Sequence, residues 1–493
     1  MVHIMSELFH TTYEQQQLGS NNQKVKGSKE PHYVAYTAND DAAQDKEFMD
    51  QLRSTLEWSD RAKPLINAID NRDLKVRSFK ATIDPDGHPR IYMLVCYHDH
   101  ILIKLAHFCN MPRGFPTLFF PGKKIKFCGF RPKFDNDMKG EVPLELEADG
   151  VAWFKKLSGF LGQLLTWVCP LTGRRTWTTT SKNSANAAGE QVFARDAARL
   201  FQPFITNGVV DALESQGAHV CAEVMSFQDQ VHGADLVKET PIVTAMGVGS
   251  CLDLVHRKEV NGFNGKGYVK FWGFEQTIKF CVDNGLPVSP AIMATGEAAK
   301  TFLRLIQENR DNLDDESYEC ILVKVKTIFP THITFLEGNV THREVLGLPL
   351  EGLVIHSVSG NPDASPKDIL KMIEDGDSDV MKMKCPGYTG RTMGVRQGND
   401  LTLVEFLTHI DKWAGRWCLT QKGMEYWKDF YTDVWFRCQE DTDGDNLVAP
   451  HIRYSDQVKL EWASGNTAEL RSALNARVFS AVDEGDVEPR GPD

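Results

Sequence analysis

Between about residue 75 and residue 400 the chain divides its apolar residues into short runs, and this limits what it can build. Gly162–Val168, His219–Met225, Cys251–Val255, Glu319–Lys326 and Gly352–His356 read as strands, separated by stretches with helical spacing. Lys75–Ile83, the turn Asp84-Pro85-Asp86-Gly87 and the run Ile91–Cys96 read as a hairpin. Strands and helices alternating in this way predict an α+β fold.

The flanks differ in character. Residues 1–45 are rich in Gln, Asn, Ser and Lys with weak periodicity, so they are expected to form a mobile leader, with a helix following near Asp45–Trp58. The main domain is expected over 46–400. Residues 401–480 carry helix-spaced apolar positions and many aromatics, among them Phe406, Trp413, Trp417, Tyr426, Trp427, Phe430 and Trp435, which predicts a mainly helical C-terminal domain. The stretch 481–493 is acidic and aperiodic, and is expected to be a disordered tail.

Composition narrows the function classes. No apolar run approaches the roughly 20 residues that span a bilayer, and the first residues lack a signal-peptide layout, so an intracellular protein, cytoplasmic or nuclear, is expected. The 11 cysteines, Cys96, Cys221 and Cys320 among them, include no Cys-x-x-Cys pair, which argues for buried thiols over a zinc or redox site. A net charge of −12 excludes a protein that coats nucleic acid by bulk electrostatics. Local basic clusters remain at Lys123, Lys124, Lys126, Arg131 and Lys133, and at Arg174 and Arg175; each fits either a phosphate-binding surface or a solvated charged face.

The sharpest chemical signal is Lys156-Leu157-Ser158-Gly159. A Lys-x-x-Gly segment suits an enzyme that stores a nucleotide on a lysine, provided that the amine is activated by desolvation or by a neighbouring cation. Lys155 is the adjacent cation, and Gly159 would permit close approach of backbone and nucleotide. The same tetrapeptide also fits a surface lysine before a strand. Other residues can be read as its partners: Lys182 ends a Thr-rich strand, and Glu223 places a carboxylate in an apolar strand, where it needs a partner if it faces inward. Glu351-Gly352 opens another apolar run. In Val380–Cys385 the alternation puts Lys382 and Lys384 on one face, as a grip for phosphates or a solvated pair.

In order, Arg113-Gly114, Pro132-Lys133-Phe134-Asp135-Asn136 with Glu141, Lys156-x-x-Gly159, Ser181-Lys182, Glu223, Glu351-Gly352 and Lys382-x-Lys384 resemble the bacteriophage-type ATP-dependent RNA ligases and the ligase domain of fungal tRNA-splicing ligases. The chain departs from that pattern at Asp135, in place of a second aromatic, and at Ser158, where the family has Asp, Asn or His. The resemblance implies an adenylyltransferase domain with antiparallel sheets that uses ATP and Mg2+ to join RNA 3′-hydroxyl and 5′-phosphate ends, in RNA repair or tRNA splicing. It makes Lys156 the nucleophile, with Lys382 and Lys384 aiding catalysis. It also implies that Arg113, Lys133, Gly159, Lys182, Glu223 and Glu351 bind the nucleotide or RNA phosphates, Glu223 through the ribose, with Glu351 supporting the metal or the attacking hydroxyl. Lys182-Asn183-Ser184-Ala185 offers a second candidate nucleophile, but with Ala185 where the glycine would be.

No Walker-type loop occurs; His332-Ile333-Thr334 matches a His-x-Thr motif, but one histidine cannot supply both an acid and a base. End-healing would therefore fall to separate enzymes, or the ends would arrive already made with the correct chemistry. Two rivals share the motifs: a DNA ligase or capping enzyme, which would normally carry an OB barrel, and a catalytically silent RNA-binding module.

Overall fold

The computed structural model describes residues 30–39, 46, 50, 53–54, 63–71, 73–83, 87–95, 115–130, 135–136, 144–187, 192–229, 236–253, 255–256, 258–260, 269–310, 313–341, 345, 350–375 and 377–385. Three sheets organise them. The first runs, in spatial order, β1 (His32–Tyr33), β10 (Arg175–Ser181), β9 (Phe160–Val168), β11 (Ala218–Met225), β12 (Thr240–Gly249) and β15 (Val269–Phe271). The second runs β14 (Lys258–Glu259), β13 (Cys251–Asp253), β6 (Lys124–Phe127), β5 (Phe115–Phe120), β4 (Arg90–Val95), β3 (Lys75–Ala81) and β2 (Tyr36–Ala38). The third runs β17 (Ile333–Leu336), β16 (Ala291–Thr295), β8 (Gly150–Lys155), β18 (Gly352–Val358), β19 (Asp379–Lys384) and β7 (Asp135–Asn136). All neighbours pair antiparallel except β1 with β10 and β7 with β19. The chain is α+β, as its pattern predicted.

Helices cover the sheets. α1 (Lys63–Asp70) contributes Ala68 to the core of the second sheet; α2 (Val192–Phe201) and α3 (Asn207–Gln216) pack on the first; α4 (Phe274–Asn284), α5 (Glu297–Glu308), α6 (Asp315–Ile328) and α7 (Pro366–Asp375) follow. The core of the third sheet holds Trp153, Phe302, Tyr318, Val325, Leu353 and Ile355, with Trp153 stacked on Phe302 at 3.8 Å between ring centroids.

Two expectations are corrected. Glu319–Lys326 is helical, within α6. Its β-branched residues and the alternation Val323-Lys324-Val325-Lys326 imitate a strand, but the buried positions Tyr318, Ile321, Leu322 and Val325 follow helical spacing. Asp314 and Ser317 form a capping box that starts the helix. Strands also occur inside the expected leader: β1 and β2 lie within 1–45, and Tyr36 is fully buried, its hydroxyl donating to Pro89 O. The β3–β4 hairpin pairs from Lys75↔Val95 to Phe79↔Ile91. Its turn residues Asp84 to Asp86, most of the helix expected at Asp45–Trp58, Cys96, and everything from 386 on, including the helical domain and tail, lie outside the described residues.

The first and second sheets meet at a buried polar seam. Lys126, placed by sequence in a basic cluster, is buried instead; its Nζ lies 3.7 Å from Glu214 Oε1, which also accepts Thr166 Oγ1 at 2.6 Å. Burial pulls the Lys126 ammonium down, but Glu214, Cys128 and Cys251 together outweigh it and the pKa stands raised. Nearby, His219 Nε2 sits 2.7 Å from Gly129 O. Burial depresses this imidazole to about 4 from 6.5, with Lys126 adding to the effect and Gly129 opposing it. The folded state therefore takes up the proton later than the unfolded chain. The contribution of His219 is complete above pH 6.5 and is lost as pH falls towards about 4, amounting to about 3 kcal/mol. Urea unfolding at stepped pH should show this slope in the wild type, and His219→Gln should remove it; an equal slope in both would refute the assignment.

Candidate active site

The third sheet draws together three of the motifs. Leu353 pairs with Lys155 of β8 on one side, and Gly352 pairs with Lys384 of β19 on the other. Lys156, just past β8, continues the ladder by donating its N–H to Gly352 O at 2.7 Å. Glu351, which immediately precedes β18, is thereby set between two lysines. Its Oε1 lies 2.6 Å from Lys156 Nζ and 3.3 Å from Lys384 Nζ. The carboxylate is 3% exposed and each lysine side chain 20% exposed, so one buried anion is shared by two partly dehydrated cations.

Glycines make this approach feasible. Gly352 has φ of +151°, and a Cβ there would stand 1.9 Å from Met383 O; any side chain would push β18 away from β19 and carry Glu351 off Lys384. At Gly159 the constraint is also protein packing, where the sequence suggested nucleotide approach: a Cβ would meet Val224 O at 2.4 Å. Gly159 N–H donates to Glu223 Oε1 at 3.1 Å. Glu223 is half-buried in β11 and so ties the Lys-x-x-Gly segment to the first sheet. Ser158 is buried, and among the described residues its Oγ finds no hydrogen-bond partner.

Lys155 does not play the part expected of it. Strand alternation turns it away from Lys156, and it binds Glu319 Oε1 at 2.8 Å and Asp315 Oδ1 at 3.3 Å while lying 4.9 Å from the Tyr318 ring. The cation beside the Lys156–Glu351 pair is Lys384, contributed from far along the chain. Lys382 shares the Lys384 face of β19, opposite Val354.

The remaining candidates are more dispersed. Lys182 follows β10, whose last residue Ser181 pairs with Gly162 of β9, the strand that follows Gly159. Asp135 and Asn136 form β7 alongside Met381 and Lys382, so the backbone of that element reaches the lysine-bearing strand. Arg113, Gly114, Lys133 and Glu141 lie outside the described residues. His332 is exposed beside the edge strand β17.

Glu351 is set in the site chiefly by its ion pairs. Its Oε1 already faces two ammonium groups, and among the described residues no cluster of three His, Cys, Asp or Glu is placed to hold a metal ion. Sequence reasoning also missed Asp315, whose carboxylate accepts the Leu350 N–H next to Glu351. Its signal was the N-terminal acidic residue of a helix, hidden because that helix read as a strand.

No helix among the described residues is long and apolar enough to cross a membrane. No family model matches the chain, and no curated protein does. Among solved structures, one form of an archaeal ATP-dependent RNA ligase aligns over 84% of this chain and 80% of its own, with 10% identity and a TM-score of 0.35. A second form aligns over 73% and 76%, with 10% identity and a TM-score of 0.30. The Naegleria gruberi RNA ligase with PPi covers 64% of this chain and 92% of its own, at 9% identity and a TM-score of 0.22. At such scores and identities the likeness is loose.

Proposed function

We propose that this chain is an ATP-dependent RNA ligase that carries AMP on Lys156 and joins RNA 3′-hydroxyl to 5′-phosphate ends. The observation that carries the reading is the buried Glu351 carboxylate shared by Lys156 and Lys384. It holds a lysine amine in place with a second cation beside it, as nucleophilic attack on an anionic phosphate requires.

Glu351, in contact with Nζ, is within reach to take the proton that Lys156 must lose. The freed amine attacks the α-phosphorus, an N–P bond forms, and the bond to the bridging oxygen breaks to release pyrophosphate. Lys384 and Lys382 offset the charge that builds on the α-phosphate and the leaving group. Glu223, which accepts the Gly159 N–H, is the proposed contact for a ribose hydroxyl. Arg113, Lys133 and Lys182 are the proposed phosphate contacts. AMP then passes to the RNA 5′-phosphate, freeing Lys156, and the RNA 3′-hydroxyl displaces AMP. Magnesium favours phosphate oxygens and water over all-protein cages, and would supply charge neutralisation on the triphosphate.

The experiment is incubation with ATP or GTP labelled on the α-phosphate, followed by denaturing electrophoresis, and then with 5′-phosphorylated RNA or nicked DNA. Label from ATP, passed on to RNA, is expected. Label from GTP alone points to a capping-type enzyme, transfer to DNA alone to a DNA ligase, and absence of label to a silent RNA-binding module.

A further inference from the structure

We infer that Asp315 is a positioning residue that sets Lys156 against Glu351, an inference that rests on the assignment of Lys156 as nucleophile above. Its two carboxylate oxygens reach in different directions: Oδ1 lies 3.3 Å from Lys155 Nζ, and Oδ2 accepts the Leu350 N–H at 2.7 Å. Lys155 immediately precedes Lys156, and Leu350 immediately precedes Glu351. One side chain therefore ties together the two segments from which the amine and its carboxylate partner project.

The fold presents Asp315 for this purpose. The capping box of Asp314 and Ser317 determines where α6 begins, and Asp315 occupies its first position, where the helix dipole favours a carboxylate. Tyr318, one turn on, accepts the Trp153 Nε1–H at 2.9 Å, and Glu319 meets Lys155 at 2.8 Å. β8 is thus anchored to α6 through residues 153 and 155, whose side chains leave the strand on the face opposite to 154. Restraining Lys155 restrains the direction in which Lys156 leaves the strand without touching its amine. Bonding Leu350 does the same for Glu351. The Lys155 and Asp315 side chains are 22% and 27% exposed, so as an ion pair alone they would add little stability. The value of the arrangement lies in alignment, where a shift of about 1 Å costs on the order of a hundredfold in rate.

The test compares wild type, Asp315→Ala, Asp315→Asn and Lys155→Met by two readouts. The first is the rate at which acetic anhydride modifies Lys156, followed by peptide mass spectrometry, with exposed Lys75 as internal reference. The second is the rate and KM of covalent labelling by ATP. Asp315→Ala is expected to raise Lys156 acetylation several-fold and to slow labelling by about tenfold to a hundredfold at saturating ATP, with KM unchanged. Asp315→Asn, which keeps an acceptor for Leu350, is expected to restore most of both. Unchanged acetylation in a folded Asp315→Ala protein overturns the inference, as does a loss of rate that Asp315→Asn does not recover. Should Asp315→Ala fail to fold, Lys155→Met, which releases one arm of the clamp, is expected to raise acetylation, and no rise overturns the inference. If the wild type takes no nucleotide, the ligase reading falls, while the acetylation comparison still decides the role of Asp315.

Discussion

Lys156→Ala is expected to abolish covalent labelling from ATP while leaving the fold almost as stable as the wild type. The chemical loss should be on the order of a thousandfold or more, because the attacking amine itself is removed. The stability loss should be small, about 1 kcal/mol, because Glu351 keeps Lys384 at 3.3 Å and is not left as an isolated buried charge. Labelling followed by denaturing electrophoresis, together with a urea melt, checks both parts. Lys182→Ala is the necessary companion. It should still take label, and the opposite pattern, label lost in Lys182→Ala and kept in Lys156→Ala, would move the nucleophile to Lys182.

Glu351→Ala should behave differently, losing both labelling and stability. Removing the carboxylate leaves the Lys156 and Lys384 ammonium groups facing one another across a pocket that had been closed over a group 3% exposed. Breaking a buried ion pair in this way costs about 3–5 kcal/mol, offset in part by the two lysines turning to solvent. Glu351→Gln keeps the shape and some hydrogen bonding, so it should lie between the wild type and Glu351→Ala in a urea melt. A Glu351→Ala protein no less stable than Lys156→Ala would contradict the shared ion pair. The contrast between the two lesions is useful because it tests the geometry without assuming any reaction.

Much of the candidate site was legible in short segments. The Lys-x-x-Gly tetrapeptide, the Glu-Gly that opens β18 and the lysine alternation of β19 each stood out locally, and the structure brings Lys156, Glu351 and Lys384 within contact of a single oxygen. Gly159 and Glu223 were also singled out, although the bond between them and the packing that requires the glycine were not foreseen. Lys155 and Lys126 were misjudged for a common reason: a charged residue in a strand is solvated, paired or buried according to what packs on its face. For these two that meant α6 and the Glu214 of α3.

The α6 segment shows the limit from the other side. Ile321 to Lys326 has the branching and the alternation of a strand, and its propensity is overridden by a capping box and by burial of one helical face against Trp153 and Phe302. Asp315 could be seen as a position of interest once that segment was helical.

Local pattern was sufficient for the class of fold, for the hairpin of β3 and β4, and for the common face of Lys382 and Lys384, since backbone geometry alone imposes a period of two on a strand. It could not place Glu351 between Lys156 and Lys384. That follows from β18 pairing with β8 on one side and β19 on the other, in registers that seat Lys155 opposite Leu353 and Gly352 opposite Lys384. Which strands become neighbours, and in what register, is settled by the burial of the whole sheet against its helices, a sum over residues distant in sequence that no short segment contains.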